Sequence, residues 1–190
     1  MQRRYHSAVI HKSSIYIYGG LLREQPEDHL AEQSLVYRYN FNSKIWSKIP
    51  THFPPSNSFS YICAHGTAVF NNMMYLYGGK NYKTNEYIQG LWCLNLESYN
   101  WKKQEVKGYS PLSREHAVMV LHQRSTLLMY GGRLGKENLN DFNIYRIDNK
   151  IWLQIEESSY DFKIACRLKP AICSQGDYLY FFGGERMIAN

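Results

Sequence analysis

A glycine pair at the end of a short apolar run returns four times in this chain. The runs are Ile15–Tyr18 before Gly19 and Gly20, Met74–Tyr77 before Gly78 and Gly79, Leu127–Tyr130 before Gly131 and Gly132, and Leu179–Phe182 before Gly183 and Gly184. The first glycines stand 59, 53 and 52 residues apart. Self-similarity at a period near ~50 residues marks stacked repeats rather than one domain of unrelated elements. Each run is apolar on both alternating sets of positions, which suits a strand covered on both faces. The glycines then allow backbone conformations closed to other residues and a close approach by a neighbour.

Other markers keep step with the glycines. His6 and His65 each stand thirteen residues before the first glycine, and His116 stands fifteen before Gly131, with a longer turn at Gln123–Thr126. The fourth copy has Pro170 at that offset. Downstream come Trp46, Trp101 and Trp152; seven residues before each lies Tyr39, Leu94 or Tyr145, and nine before lies Tyr37, Trp92 or the odd one out, Asn143.

On these residues the chain resembles the kelch-repeat family over essentially its whole length. The family pattern of Arg/His-Ser-Ala, hydrophobic strand, Gly-Gly, variable loop, aromatic strand and Trp reads here as Arg3-Arg4-Tyr5-His6-Ser7-Ala8 to Trp46, Ala64-His65-Gly66 to Trp101, and Arg114-Glu115-His116-Ala117 to Trp152. The resemblance implies an all-β fold, a kelch-type β-propeller in which each repeat is one four-stranded blade. Blades of about 1–50, 62–106 and 112–156 would be complete. A fourth, about 166–190, would hold strands a and b only, so the ring is incomplete. Closed propellers use 4–8 blades. The expectation is therefore a segment of a longer chain whose further blades close the ring, or a chain that closes it by self-association.

Composition adds bounds. Hydrophobic residues make up 44% and aromatics 15%, with seventeen tyrosines suited to half-buried sheet surfaces. The net charge of +6 is scattered among interleaved acids, which disfavours nucleic acid as a partner. Cys63, Cys93, Cys166 and Cys173 show no metal-ligand spacing, and Cys93 and Cys173 on strands read as small buried hydrophobes. No apolar run approaches the ~18 residues of a membrane span, and no leader or glycosylation sequon is visible. The expected location is cytoplasmic or nuclear.

Strand parity sorts the connections. In an up-and-down blade the a–b and c–d turns fall on one side, the b–c loops and d–a links on the other. The long segments 21–34, 47–61, 80–89, 102–113, 133–140 and 153–166 all belong to the second side, so partner-binding residues are expected there. Arg23, Lys80, Arg133 and Arg186 follow the glycine pairs and read either as a basic ring for an acidic peptide or as ordinary solubilising charge. Tyr82, with Phe53, Phe59, Tyr61, Tyr87, Tyr109 and Tyr160, could anchor a partner or pack its own loop.

Catalytic readings find less support. His6, His65 and His116 could make a three-imidazole metal site. The competing reading is one structural position repeated, with each ring bonded to backbone and with Trp46, Trp101 and Trp152 packed between blades. Nothing matches the copper site of galactose oxidase-like propellers. The iron motif of the plant specifier proteins is approached only by Glu24, Asp28 and Glu32. No cofactor is implied. The resemblance thus implies a non-enzymatic interaction module binding a protein or peptide. Alternatives are the substrate-recognition part of a ubiquitin ligase and, in another class, a metal-dependent propeller enzyme.

Overall fold

The computed structural model describes residues 3–22, 35–54, 61–155 and 167–185. None of them is helical. The first sheet contains β2 (Ser7–His11), β3 (Ser14–Tyr18), β5 (Leu35–Asn40) and β6 (Ile45–Pro50) in the order β2-β3-β5-β6, all antiparallel. The second contains β8 (Gly66–Phe70), β9 (Met73–Tyr77), β11 (Leu91–Asn95) and β12 (Trp101–Lys103) in the same meander order. The third contains β13 (Val118–His122), β14 (Thr126–Tyr130), β17 (Phe142–Arg146) and β18 (Ile151–Ile155). Among the described residues the fourth has two strands, β19 (Ala171–Gln175) and β20 (Tyr178–Phe182). The fold is that of a partial propeller without a closed ring.

Short two-residue pairs extend the blades beyond the glycines. β1 (Arg3–Arg4) pairs with β4 (Leu21–Leu22), and β7 (Ile62–Cys63) pairs with β10 (Lys80–Asn81). In the third and fourth repeats the same pairing shrinks to single bridges, Glu115 with Arg133 and Leu168 with Glu185. The loop of blade three carries one further hairpin, β15 (Arg133–Leu134) with β16 (Glu137–Asn138).

The seven-residue spacing before each tryptophan is a sheet register. Tyr39 faces Trp46, Leu94 faces Trp101 and Tyr145 faces Trp152 as direct cross-strand partners. Between blades, the residue before each glycine pair meets the tryptophan of the next blade. Tyr18 lies 5.0 Å from Trp101 and Tyr77 lies 5.2 Å from Trp152, ring centre to ring centre. These contacts sit in two apolar clusters. Tyr16, Tyr18 and Val36 of blade one pack on Met74, Leu76 and Leu94 of blade two, and Tyr75, Tyr77 and Cys93 pack on Ala117, Met119 and Leu127 of blade three.

Two expectations change. Trp46 is not packed between blades but 55% exposed, because no described blade stands on that side of it. Cys173 lies on a strand yet faces solvent on the uncovered side of blade four, whereas Cys93 is buried. The Trp152 indole nitrogen is buried with no hydrogen-bond partner among the described residues.

Candidate functional site

The loop side is built on backbone seats formed by the glycines. Gly19, Gly78 and Gly131 have φ of +65°, +66° and +67°, a region that L side chains rarely enter. A Cβ at Gly19 would lie 2.6 Å from the Ile62 carbonyl oxygen, one at Gly131 would lie 2.9 Å from that of Arg167, and one at Gly78 would press into that of Arg114. The second glycine of each pair donates its N–H to the same carbonyl: Gly20 to Ile62 at 2.8 Å, Gly79 to Arg114 at 2.8 Å and Gly132 to Arg167 at 3.5 Å. Only a residue without a side chain lets the next blade's backbone come this close.

A second series of backbone bonds links blade to blade. Ala64 donates to the Tyr5 carbonyl at 2.9 Å, His116 to that of Ala64 at 2.7 Å, and Lys169 to that of His116 at 3.1 Å. All four residues have φ between +54° and +63°. This corrects the histidine register. His116 occupies the place of Tyr5 and Ala64, while the counterpart of His6 and His65 is Ala117, which packs on Gly132 as His6 packs on Gly20 and His65 on Gly79. The turn after β13 is one residue longer than that after β8, and the rest of the offset is this one-place shift. The three histidines are therefore not one repeated position.

Arginines buttress the glycine carbonyls. Arg3 donates to Gly19, Arg114 to Gly131 at 3.1 Å and Arg167 to Gly183 at 2.7 Å. Arg114 is buried, and it grips both carboxylate oxygens of Asp141, one of them at 2.9 Å. Asn143 donates to Asp141 at 2.7 Å and accepts from the Tyr109 hydroxyl at 3.1 Å, which explains the polar residue where blades one and two carry Tyr37 and Trp92. Burial pushes the Asp141 carboxyl up, but the hydrogen bonds and charge of Arg114, with Asn143, outweigh it and hold it below the usual carboxylate range. The sequence carried one signal for this set: Arg3, Arg114 and Arg167 recur sixteen or seventeen places before the first glycine.

Of the expected contact residues, Lys80, Tyr82 and Arg133 lie on the loop side; Arg23 and Arg186, with Glu24, Asp28, Glu32, Phe59, Tyr160 and Cys166, lie outside the described residues. Lys80 and Arg133 are equivalent positions, each directly after its glycine pair, where blade one has Leu21 and blade four has Glu185. The Lys80 ammonium stands 5.2 Å from the centre of the Tyr87 ring. The Arg133 guanidinium is held by Glu115 at 2.9 Å. Tyr82 meets Tyr61 edge-on at 5.4 Å, and Lys83 covers the Tyr61 face at 4.1 Å. The Tyr87 hydroxyl accepts the Gly135 N–H at 2.8 Å, tying the loops of blades two and three together. Phe53 stacks on Trp101, so it packs its own link.

The head of the left-handed series carries a second cluster, around Tyr5, a residue not singled out from sequence. Its ring, 36% exposed, meets His116 at 5.1 Å, Lys169 at 4.7 Å and Arg4 at 5.4 Å. Burial, then Lys169, pushes His116 down to about 4. His65 is enclosed between blades, where burial pushes it down to about 3. Its Nε2 meets the Ser7 hydroxyl, not a backbone group. Among the described residues no three His, Cys, Asp or Glu side chains cluster as a metal site would require.

The turn side is not featureless. A cleft of about 790 Å³ lies between the turns of blades three and four, lined among others by Arg124, Arg146, Asp148 and Asp177. Both carboxylates are taken up by neutral donors, Asp148 by Ser125 and Asp177 by Gln123.

Blades clamped by glycine seats, meandering around a common axis with cation-rich loops on one side, define a repeat protein of the propeller class. The chain belongs to the family described as the KLHDC2/KLHL20/DRC7 Kelch-repeats domain, whose model matches residues 1–187. It is 26% identical over 193 residues to the Leucine-zipper-like transcriptional regulator 1 homolog of Drosophila melanogaster, covering 96% of this chain and 19% of that protein. It is 28% identical over 173 residues to human Kelch domain-containing protein 3, covering 87% of this chain and 43% of the relative. The Ras guanine nucleotide exchange factor F of Dictyostelium discoideum matches at 26% over 152 residues, 78% of this chain and 13% of that protein. The chain thus spans less than half the length of these relatives. Kelch repeats are generally non-enzymatic domains that bind protein partners.

Proposed function

We propose that this chain is a non-enzymatic interaction module that receives an acidic segment of a protein partner on its loop side. The observation that carries the reading is a partly exposed ring flanked by cations: Arg4 and Lys169 over Tyr5, Lys169 also meeting Glu185 at 3.2 Å, with Lys80 and Arg133 directly after the glycine pairs of blades two and three. A partly exposed aromatic flanked by cations supplies both a hot-spot anchor and carboxylate partners. Arg23 and Arg186 follow their glycine pairs closely in sequence and belong to the same proposed surface, as does Tyr82.

The test compares two charge-reversed variants as baits. Arg4→Glu with Lys80→Glu alters the loop side; Lys44→Glu with Lys150→Glu alters the c–d turns opposite. Arg133 is left alone because its loss strands the nearly buried Glu115. Proteins that the parent retains from a cell lysate should be lost by the first variant and kept by the second. Equal loss from both would discard the loop side as the binding face. Ubiquitination of the retained proteins would support the narrower reading as a ligase substrate receptor.

A further inference from the structure

The link from blade two to blade three is held differently from the strands on either side of it. β12 ends at Lys103 and β13 begins at Val118. Between them, no backbone-to-backbone hydrogen bond holds residues 108–113 among the described residues. Side chains hold them instead. The Tyr109 hydroxyl donates to Asn143 at 3.1 Å, and the Tyr77 hydroxyl donates to the Pro111 carbonyl. The Ser113 hydroxyl donates to Gln89 at 2.7 Å, and Arg114 donates to the Leu112 carbonyl at 2.9 Å. Gly108, at φ +71° with nothing within 4 Å of a Cβ, leads into this strap.

Ser110 lies in the middle of the strap and is exposed, with Tyr109 exposed before it and Leu112 56% exposed two places on. Its hydroxyl meets the Tyr77 hydroxyl only at 3.5 Å, a weak contact. Pro111 follows it. Of the six prolines in the chain, this is the one preceded by a serine or threonine. A proline at that place removes a backbone N–H and keeps the residue before it extended. Blades two and three are both complete four-stranded sheets, so the exposure of this link does not arise at either end of the chain.

We propose that Ser110 is a phosphorylation site, the acceptor for a protein kinase that selects proline directly after its target residue. The serine Oγ attacks the γ-phosphorus of ATP, the bond from that phosphorus to the β-phosphate oxygen breaks, and ADP leaves. The hydroxyl proton passes to the catalytic carboxylate of the kinase. The Pro111 ring is buried, so the kinase takes the strap lifted from the blade. Lifting breaks side-chain bonds but no strand ladder, the kind of local opening that costs far less than unfolding. The product carries a charge of about −1.5 to −2 on the loop side. The site stands whether or not an acidic segment binds there.

The test incubates the folded chain with a purified proline-directed protein kinase, magnesium and ATP, and follows the intact mass with time. One phosphate should be added, and peptide mapping should place it on Ser110. Ser110→Ala and Pro111→Ala, with the parent's circular dichroism, should stay unmodified. Tyr77→Phe keeps the packed ring and removes the hydroxyl that latches Pro111, so it should be modified several-fold faster. A folded chain that takes no phosphate while a peptide of residues 105–115 does would overturn the proposal. So would phosphate mapped to another residue, or modification confined to temperatures above the melting transition. A Tyr77→Phe variant no faster than the parent would overturn the lifting step.

Discussion

Ser7 Oγ and His65 Nε2 meet at 2.7 Å across the junction of blades one and two, inside a buried layer where the imidazole is neutral. Nδ1 of the same ring is buried with no partner among the described residues. Protonating His65 would place a charge where only Ser7 can answer it.

Stability should therefore fall on the acid side of neutrality. Burial holds His65 at about 3 when folded, against about 6.5 in an unfolded chain, so the unfolded state binds more protons between those values. The contribution is complete above about pH 6.5 and is lost as pH drops towards 3, at about 1.4 kcal/mol per unit. His116, held at about 4, acts in the same sense. Urea midpoints measured from pH 7 to pH 5 should decline in the parent and decline less in His65→Gln. Identical slopes would remove His65 from this role.

Gly78→Val should cost about 3 kcal/mol or more, because left-handed strain of 1–3 kcal/mol is joined by overlap with the Arg114 carbonyl. Gly108 also has positive φ, +71°, but nothing lies within 4 Å of a Cβ there. Gly108→Ala should lose only about 1–2 kcal/mol. Chemical denaturation ranks the two, and equal losses would mean that the seat is not what the glycine serves.

Arg114→Met should destabilise by about 3–5 kcal/mol, since it leaves the Asp141 carboxylate in a largely enclosed site without its fork. Adding Asp141→Leu should recover most of that loss, as replacing both charges removes the stranded one. A double variant no better than Arg114→Met would locate the damage in packing. In the parent, the depressed Asp141 contributes stability above the usual carboxylate range that is lost as pH falls through its folded value.

The tryptophans should divide by neighbour rather than by repeat. Trp101 is 3% exposed between Tyr18 and Phe53, and Trp101→Ala should cost about 3–5 kcal/mol. No described blade stands against the outer face of Trp46, and at sub-micromolar concentration Trp46→Ala should cost less than about 1 kcal/mol. Comparable melting shifts would contradict the difference in packing.

What sequence reading captured and missed follows from which features are periodic. The glycine pairs and the seven-residue step to each tryptophan are properties of one blade, so they recur at nearly fixed spacing and foretell strands, register and loop parity. Residue type alone misled at His116, where a histidine happens to fill the left-handed position that Tyr5 and Ala64 occupy in other blades. Arg114 and Asp141 lie 27 residues apart and Tyr109 and Asn143 lie 34 apart, joining one blade's loop to its own link. Such pairs have no counterpart among the described residues of blades one and two, and periodicity cannot point to them. The exposed ring of Tyr5 was hidden for the same reason, since its neighbours Lys169 and His116 come from blades three and four.

The bonds from Gly20, Gly79 and Gly132 to the following blade run between main-chain atoms. Whatever residue arrives at that carbonyl, Ile62, Arg114 or Arg167, is received alike. A bond written in backbone atoms leaves the residue type at the carbonyl itself open, so that position is free to vary from repeat to repeat while the seat still closes. A repeat copied or deleted as a whole would also arrive with its couplings intact. Lineages can therefore lengthen, shorten and diversify such chains through gene-level rearrangement, leaving the loops as the part on which selection acts.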